Sequence, residues 1–158
     1  MQGRMKQHQL SKEEIKDVLK NAQVGRIATH NEDGFPYIVP VHFILYEDKI
    51  YIHGLIKGQK ISNLTKNNKI GFEADEMGAI LPDNKNPCDT NTIFRSVIIS
   101  GIAKMIEDKA QKEKILHAIV NKYTPQLSHL DFPEKMMKAT GIIEITPIET
   151  TGKYYKEM

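Results

Sequence analysis

The stretch Ile50-Tyr51-Ile52-His53-Gly54-Leu55-Ile56-Lys57-Gly58-Gln59-Lys60-Ile61-Ser62-Asn63-Leu64 sets the architecture. It opens as a β-rich run, breaks at Gly54 and Gly58, and resumes with Ile61 and Leu64 spaced to share one helical face. That is a strand, a turn and a helix start. A helix N-terminus presents unpaired backbone N–H groups and the positive end of the helix dipole, and Lys57 and Lys60 stand beside this one. From these residues alone two readings are open: a phosphate cradle, or a solvated turn with incidental lysines.

Upstream, Ser11 followed by Glu14 is a capping box, and Ile15, Val18, Leu19 and Ala22 then recur at helical spacing, which predicts a helix over residues 11–22. Residues 24–29 read as a strand. The Asp33-Gly34 turn leads into a second strand over 36–46, and 47–49 turn the chain into the opening strand, as an antiparallel meander or barrel requires. Pro40 cannot donate a ladder hydrogen bond, so it marks an edge, a bulge or an opening in the sheet that admits a ligand.

Downstream, a helix over Gln59 to Lys66 is followed by a strand over 70–74 and a long polar segment, 75–91, containing Gly78, Pro82 and Pro87. A loop of that length is usually functional or mobile, so it is a candidate cover for a site. Residues 97–103 form a strongly apolar run expected to be the central barrel strand, with Gly101 permitting a bulge. Asp108 and Gln111 start a helix with a broad apolar face that ends before Pro125. A short helix over 133–139 and a last strand over 141–149 complete the pattern. The sum is a mainly β fold, a six-stranded antiparallel barrel with peripheral helices, and not an alternating βα sheet.

The 158 residues fit one domain, with residues 1–10 a flexible arm, 11–153 the domain and 154–158 a tail. A net charge of +2 is too mild to point to nucleic acid, and no apolar run approaches the roughly 20 residues of a membrane span. One cysteine, Cys88, rules out an intramolecular disulfide and fits a cytoplasmic setting.

Among titratable groups, His53 lies at a strand end beside the lysine-bearing turn, where an imidazole can hydrogen-bond a ring or relay a proton. A strand-end histidine bonded to a backbone carbonyl is the plainer reading. His42 lies on the preceding strand and borders the same pocket if the strands pair. His30, His42, His53 and Cys88 lack the short paired spacing of a zinc site, so no metal is expected. Neither Ser96 nor Cys88 sits in a nucleophile elbow. Arg95 suits either a phosphate or an acidic pair, and Ser96 suits a heterocycle edge; spacing does not choose.

In order and spacing, Gly25-Arg26-Ile27-Ala28-Thr29, Asp33-Gly34-Phe35-Pro36-Tyr37-Ile38-Val39-Pro40-Val41, the segment from Ile50 through Lys60, and Phe94-Arg95-Ser96-Val97-Ile98 resemble the FMN-binding split-barrel family of pyridoxamine 5′-phosphate oxidases, in its nitroimidazole-resistance (Nim-type) branch. The resemblance implies a homodimer of six-stranded split barrels with FMN at the subunit interface. It implies that Val39, Pro40, Val41 and His42 line the flavin ring, that Ile52 and His53 lie near it, and that Lys57 and Lys60 hold the phosphate. Ser96 falls where the oxidases contact the flavin, with Arg95 beside it. The oxidases end in a motif bearing tryptophan and arginine, whereas this chain has no Trp, and they place a lysine where His42 stands. A substrate other than pyridoxamine phosphate follows. The implied activity is FMN-dependent reduction of a small molecule of nitroimidazole or nitroaromatic type, with His53 and His42 as proton donors. The alternative is a non-enzymatic flavin-binding or sensing protein.

Overall fold

The computed structural model describes residues 8–155. Seven strands, β1 (Gly25–His30), β2 (Pro36–Val41), β3 (Phe43–Tyr46), β4 (Lys49–Leu55), β5 (Lys69–Leu81), β6 (Asn91–Met105) and β7 (Thr140–Tyr155), form one sheet in the order β2-β1-β5-β6-β7-β4-β3. All neighbours are antiparallel. Among the described residues four α-helices accompany them: α1 (Lys12–Asn21), α2 (Gln59–Lys66), α3 (Lys109–Tyr123) and α4 (Glu134–Ala139).

β2 and β3 are the two edges of this sheet, yet a single residue, His42, separates them in the chain. Consecutive Cα atoms are about 3.8 Å apart, so Val41 and Phe43 stand within roughly 7 Å of one another. The sheet must therefore curl until its edges meet at His42. This is a split barrel, joined at one end of the seam by the chain itself. The single strand expected over 36–46 is thus two strands, because β2 pairs with β1 and β3 with β4, which lie at opposite ends of the sheet order. Counted as one run through the seam, the strands number the expected six.

Side-chain alternation sorts the core into two layers. Phe43, Ile50, Ile52, Phe72, Val97, Ile99, Ile143 and Ile145 fill the barrel, and Leu10, Val18, Leu19 and Ala22 from the α1 region close it. The next residues along the same strands, Ile44, Tyr51 and Ile142, point outward and meet Ile115, Leu116 and Ile119 of α3 and Met137 of α4. Each fully buried isoleucine contributes on the order of 1.5–3 kcal/mol. Both faces of β4 are therefore covered, and its outward row continues to His53.

The helix starts follow the sequence. Ser11 Oγ accepts from the Glu14 N–H while the Glu14 carboxylate accepts from the Ser11 N–H, and Asp108 caps α3 by accepting from the Gln111 N–H at 2.7 Å. β6 is the middle strand of the seven, and a bulge at Gly101 leaves Ile148 unmatched on β7. A Cβ on Gly101 would lie 2.8 Å from the Thr146 carbonyl oxygen, so the bulge requires glycine there.

Three boundaries differ from expectation. The segment 75–91 is mostly a hairpin arm: β5 and β6 stay paired out to Leu81 and Asn91, leaving only residues 82–90 as loop. Its polar sequence misled because the arm, which beyond Phe94 has only two strands, has no fully buried face to impose alternation. β7 runs on to Tyr155, pairing with Phe94, so residues 154 and 155 are strand rather than tail, and 156–158 lie outside the described residues. Residues 1–7 of the expected arm also lie outside them, whereas His8 to Leu10 are fixed against β7. There the Leu10 N–H donates to the Gly152 carbonyl at 3.1 Å, the Tyr154 N–H donates to the His8 carbonyl at 3.0 Å, and Leu10 is buried.

Candidate functional site

The turn between β4 and α2 places the candidate phosphate cradle. Gly58 holds φ at +126°, a conformation that L side chains rarely adopt, and it caps α2 without any side-chain hydrogen bond to the first-turn N–H groups. No acidic residue occupies that first turn. Lys57 is exposed and Lys60 half-buried, and among the described residues neither has a carboxylate partner. Burial pushes the Lys60 ammonium below its ordinary value, and its Nζ lies 3.8 Å from where a Cβ on Gly54 would stand. An uncompensated, partly desolvated cation beside open N–H groups is a candidate site for an anion.

α2 is locked in place by a polar network that sequence reasoning missed. Asn63, 1% exposed, donates to Thr29 Oγ1 at 3.0 Å and to Asn31 Oδ1 at 2.9 Å, and accepts from Gln59 Nε2 at 2.7 Å. The helix that carries Lys60 is thereby pinned to the end of β1. The available signal was the spacing of Gln59 and Asn63, four residues apart on one helical face.

His53 and His42 do come together, with ring centroids 6.3 Å apart. Burial first, then the neighbouring His42 and Lys60, holds the His53 imidazole below the ordinary histidine range. Its Nδ1 is buried and has no hydrogen-bond partner among the described residues. The carbonyl-bonded reading of this histidine is therefore not met at that atom. His42 is exposed and stacks on Tyr123 at 4.3 Å.

Tyr123, placed by the sequence only on an apolar helix face, anchors the barrel closure. Its hydroxyl oxygen accepts from the Phe43 N–H at 2.9 Å, and its proton has the carbonyls of Gln23 and Phe43, each at 3.0 Å, as acceptors. It thus serves backbone groups at the point where β2 hands over to β3. Beside His53, residues of α3 and α4 line a half-open apolar cavity of about 300 Å³, whose walls come together only in the folded chain.

The remaining candidates divide. Val39 and Val41 are half-buried and Pro40 exposed on β2, an edge strand whose backbone is paired only with β1, so its other side is open to a flat ligand. Ile52 is fully buried inside the barrel, and its backbone is flanked by Phe43 and Ile143; its side chain has no access to a ligand. Arg95 takes the acidic-pair alternative: its Nε and Nη2 donate to Glu76 at 2.9 and 2.5 Å and its Nη1 to Asp17 at 2.6 Å. Arg95 pairs with Tyr154, whereas His53 pairs with Ile142, twelve residues away on β7. That is roughly 40 Å of strand. One chain does not bring Arg95 and Ser96 to the His53 group. Ser96 instead lines a cleft with Leu10, Ile15 and Lys153.

Among the described residues, no cluster of three or more His, Cys, Asp or Glu side chains is arranged to hold a metal, and no helix is long and apolar enough to cross a membrane.

Comparison with known proteins is consistent with this architecture. The profile of the family described as pyridoxamine 5′-phosphate oxidase matches residues 11–154. A curated relative, the 5a,11a-dehydrotetracycline/5a,11a-dehydrooxytetracycline reductase of Streptomyces rimosus, is 33% identical over 86 residues, which span 52% of this chain and 54% of that protein. Among solved structures, a Bacteroides thetaiotaomicron protein assigned to 5-nitroimidazole antibiotic resistance superposes with a TM-score of 0.81 at 22% identity, over 92% of this chain and 86% of that one. The FAD and heme binding protein of Mycobacterium smegmatis gives 0.84 at 18% identity, over 95% and 74% of the two chains. At such identities the structural likeness speaks for the fold alone.

Proposed function

The chain belongs to the pyridoxamine 5′-phosphate oxidase family, and on that premise we propose that it is a cytoplasmic, FMN-dependent oxidoreductase that reduces electron-poor small molecules of nitroaromatic type. The observation that carries the reading is the half-buried Lys60 beside the N-terminus of α2, on the same strand–turn–helix unit as His53 Nδ1, neither of which has a partner among the described residues. These residues fit FMN: one phosphate dianion matches the cradle, and a buried polar atom awaits a partner.

FMN, when bound, supplies the capacity to take up and pass on two electrons. The chain's own residues bind and orient. Lys60, assisted by Lys57 and the α2 N–H groups, holds the phosphate. The open edge of β2 at Val39 to His42 offers backbone donors and acceptors to a flat heterocycle. His53, whose burial and whose neighbours His42 and Lys60 favour the neutral imidazole, holds a proton on one ring nitrogen and can take one up at the other, and so can relay a proton to a reduced substrate. His42 is held for the same task by its stack on Tyr123. The dehydrotetracycline reductase, a relative matched over about half its length, favours a reductase over an oxidase.

Arg95 and Ser96 would join this site from the second copy of a homodimer with the flavin at its interface. Exposed Met77, Ile80, Ile98 and Ile148 supply apolar surface for it. The test is direct. Purified protein is loaded with FMN, reduced anaerobically by a reduced nicotinamide and exposed to a 5-nitroimidazole. Flavin reoxidation with loss of the nitro chromophore is expected. FMN bound without turnover toward any electron-poor acceptor would leave a flavin-binding protein, and no FMN uptake would end the flavin reading altogether.

A further inference from the structure

The apolar cavity beside His53 carries its own chemical signature. Its walls are Leu116, Ile119 and Val120 of α3, Phe132, and Met136 and Met137 of α4, with Thr140 and His53 the polar groups on its lining. The Thr140 hydroxyl already donates to the Met136 carbonyl at 2.9 Å. His53 is therefore the side chain left to hydrogen-bond an occupant. No lysine, arginine, aspartate or glutamate lines the cavity. The charges of α4 are turned elsewhere: Glu134 and Lys138 pair with each other at 2.8 Å. A volume of about 300 Å³ is at the small end of ligand pockets and suits one or two rings. Met136 at the rim, 58% exposed, and Met137 give the wall unbranched, adaptable side chains that mould to a flat surface.

We propose that this cavity is a ligand pocket for a small uncharged ring compound with one hydrogen-bonding polar group turned to His53, and that it rejects phosphorylated and other ionic molecules of the same shape. That it holds the substrate of the reaction proposed above rests on the flavin reading; the selectivity itself does not. The physical reason is desolvation. An ion entering this pocket gives up part of its water to a wall that carries no Lys, Arg, Asp or Glu side chain, whereas a neutral ring exchanges water for methyl and aromatic contacts. The pocket thereby separates this chain from any relative whose substrate carries a phosphate.

Benzamide, benzoate and benzamidine share one shape and differ in charge, so they isolate the claim. Binding to the full chain is followed by the methyl resonances of Met136 and Met137 and the ring resonances of His53, with no turnover needed. Benzamide is expected to bind at least about tenfold more tightly than either ion. Because Met136 is exposed, Met136→Lys and Met136→Glu leave the core intact; the first is expected to shift preference toward benzoate and the second toward benzamidine. Equal binding of the three probes, or shifts that miss His53 and both methionines, would overturn the pocket. Benzamide binding with the charge-swap pattern in a protein that takes up no FMN would uphold the pocket and remove the flavin reading. FMN uptake without probe binding would do the reverse.

Discussion

At the scale of single residues, the site is defined by unsatisfied groups. Among the described residues Lys60 has no counter-ion, so Lys60→Ala is expected to weaken FMN binding by roughly 1–3 kcal/mol, the scale of a charge-assisted hydrogen bond; an unchanged flavin-fluorescence titration would remove Lys60 from the site. His53 supplies a pH signature. Its imidazole is held below the ordinary value of about 6.5 in the folded chain. The unfolded chain therefore binds the proton more readily, and ligand-free stability falls as pH drops through about 6.5. A bound phosphate acts in the opposite direction on that imidazole. Binding then takes up a proton, and FMN affinity is expected to rise as pH falls through the same window, a dependence that His53→Gln should flatten. Tyr123→Phe keeps the ring over His42 but strips the hydroxyl from the Phe43 backbone, which should cost about 1–3 kcal/mol in urea denaturation. Position in the chain was enough to single out His53 and Lys60. Tyr123 was legible only as part of an apolar helix face and Asn63 only through its four-residue spacing from Gln59, because their roles depend on partners 80 and 34 residues away.

At the scale of elements, local signals read well and pairing distance read poorly. The capping box at Ser11 and the Asp108 cap were legible because each is an interaction between residues three apart. The apolar run expected at the barrel centre is indeed the middle of β6, where Val97, Ile99 and Ala103 point into the barrel and Ile98 stays exposed on the outer face. The far ends of β5, β6 and β7 were not legible. There the backbone ladder holds the chain extended without a core beneath it, and Met77 and Ile80 remain exposed. The arm formed by residues 76–81 and 91–95 is accordingly expected to exchange its amide hydrogens much faster than residues 97–103 of the same β6. Comparable protection in the two halves of β6 would mean that the arm is covered by another surface, as a dimer would cover it.

At the scale of the whole molecule, the barrel class was readable because strand after strand followed with short turns, but closure was not. Closure depends on two edges meeting, which no local pattern records. The proposed homodimer makes a matching demand: if Arg95 and Ser96 serve the partner's flavin, a chain carrying Lys60→Ala mixed with one carrying Ser96→Ala should restore one intact site per mixed dimer. Mixed samples that bind no more FMN than the sum of the parents would place both residues outside a shared site.

The single-residue joint at His42 has a further consequence, because the two ends of the described chain lie side by side. Gln9 bridges to Lys153 in antiparallel fashion. A circular permutant that links these ends and begins at Phe43 therefore keeps every strand partner while releasing the only covalent tie across the seam. In such a chain the seam would be held by side chains and by Tyr123 alone, and β2 and β3 would become two free termini able to swing apart. The native order of the chain thus makes closure of the barrel a matter of connectivity before it is a matter of packing.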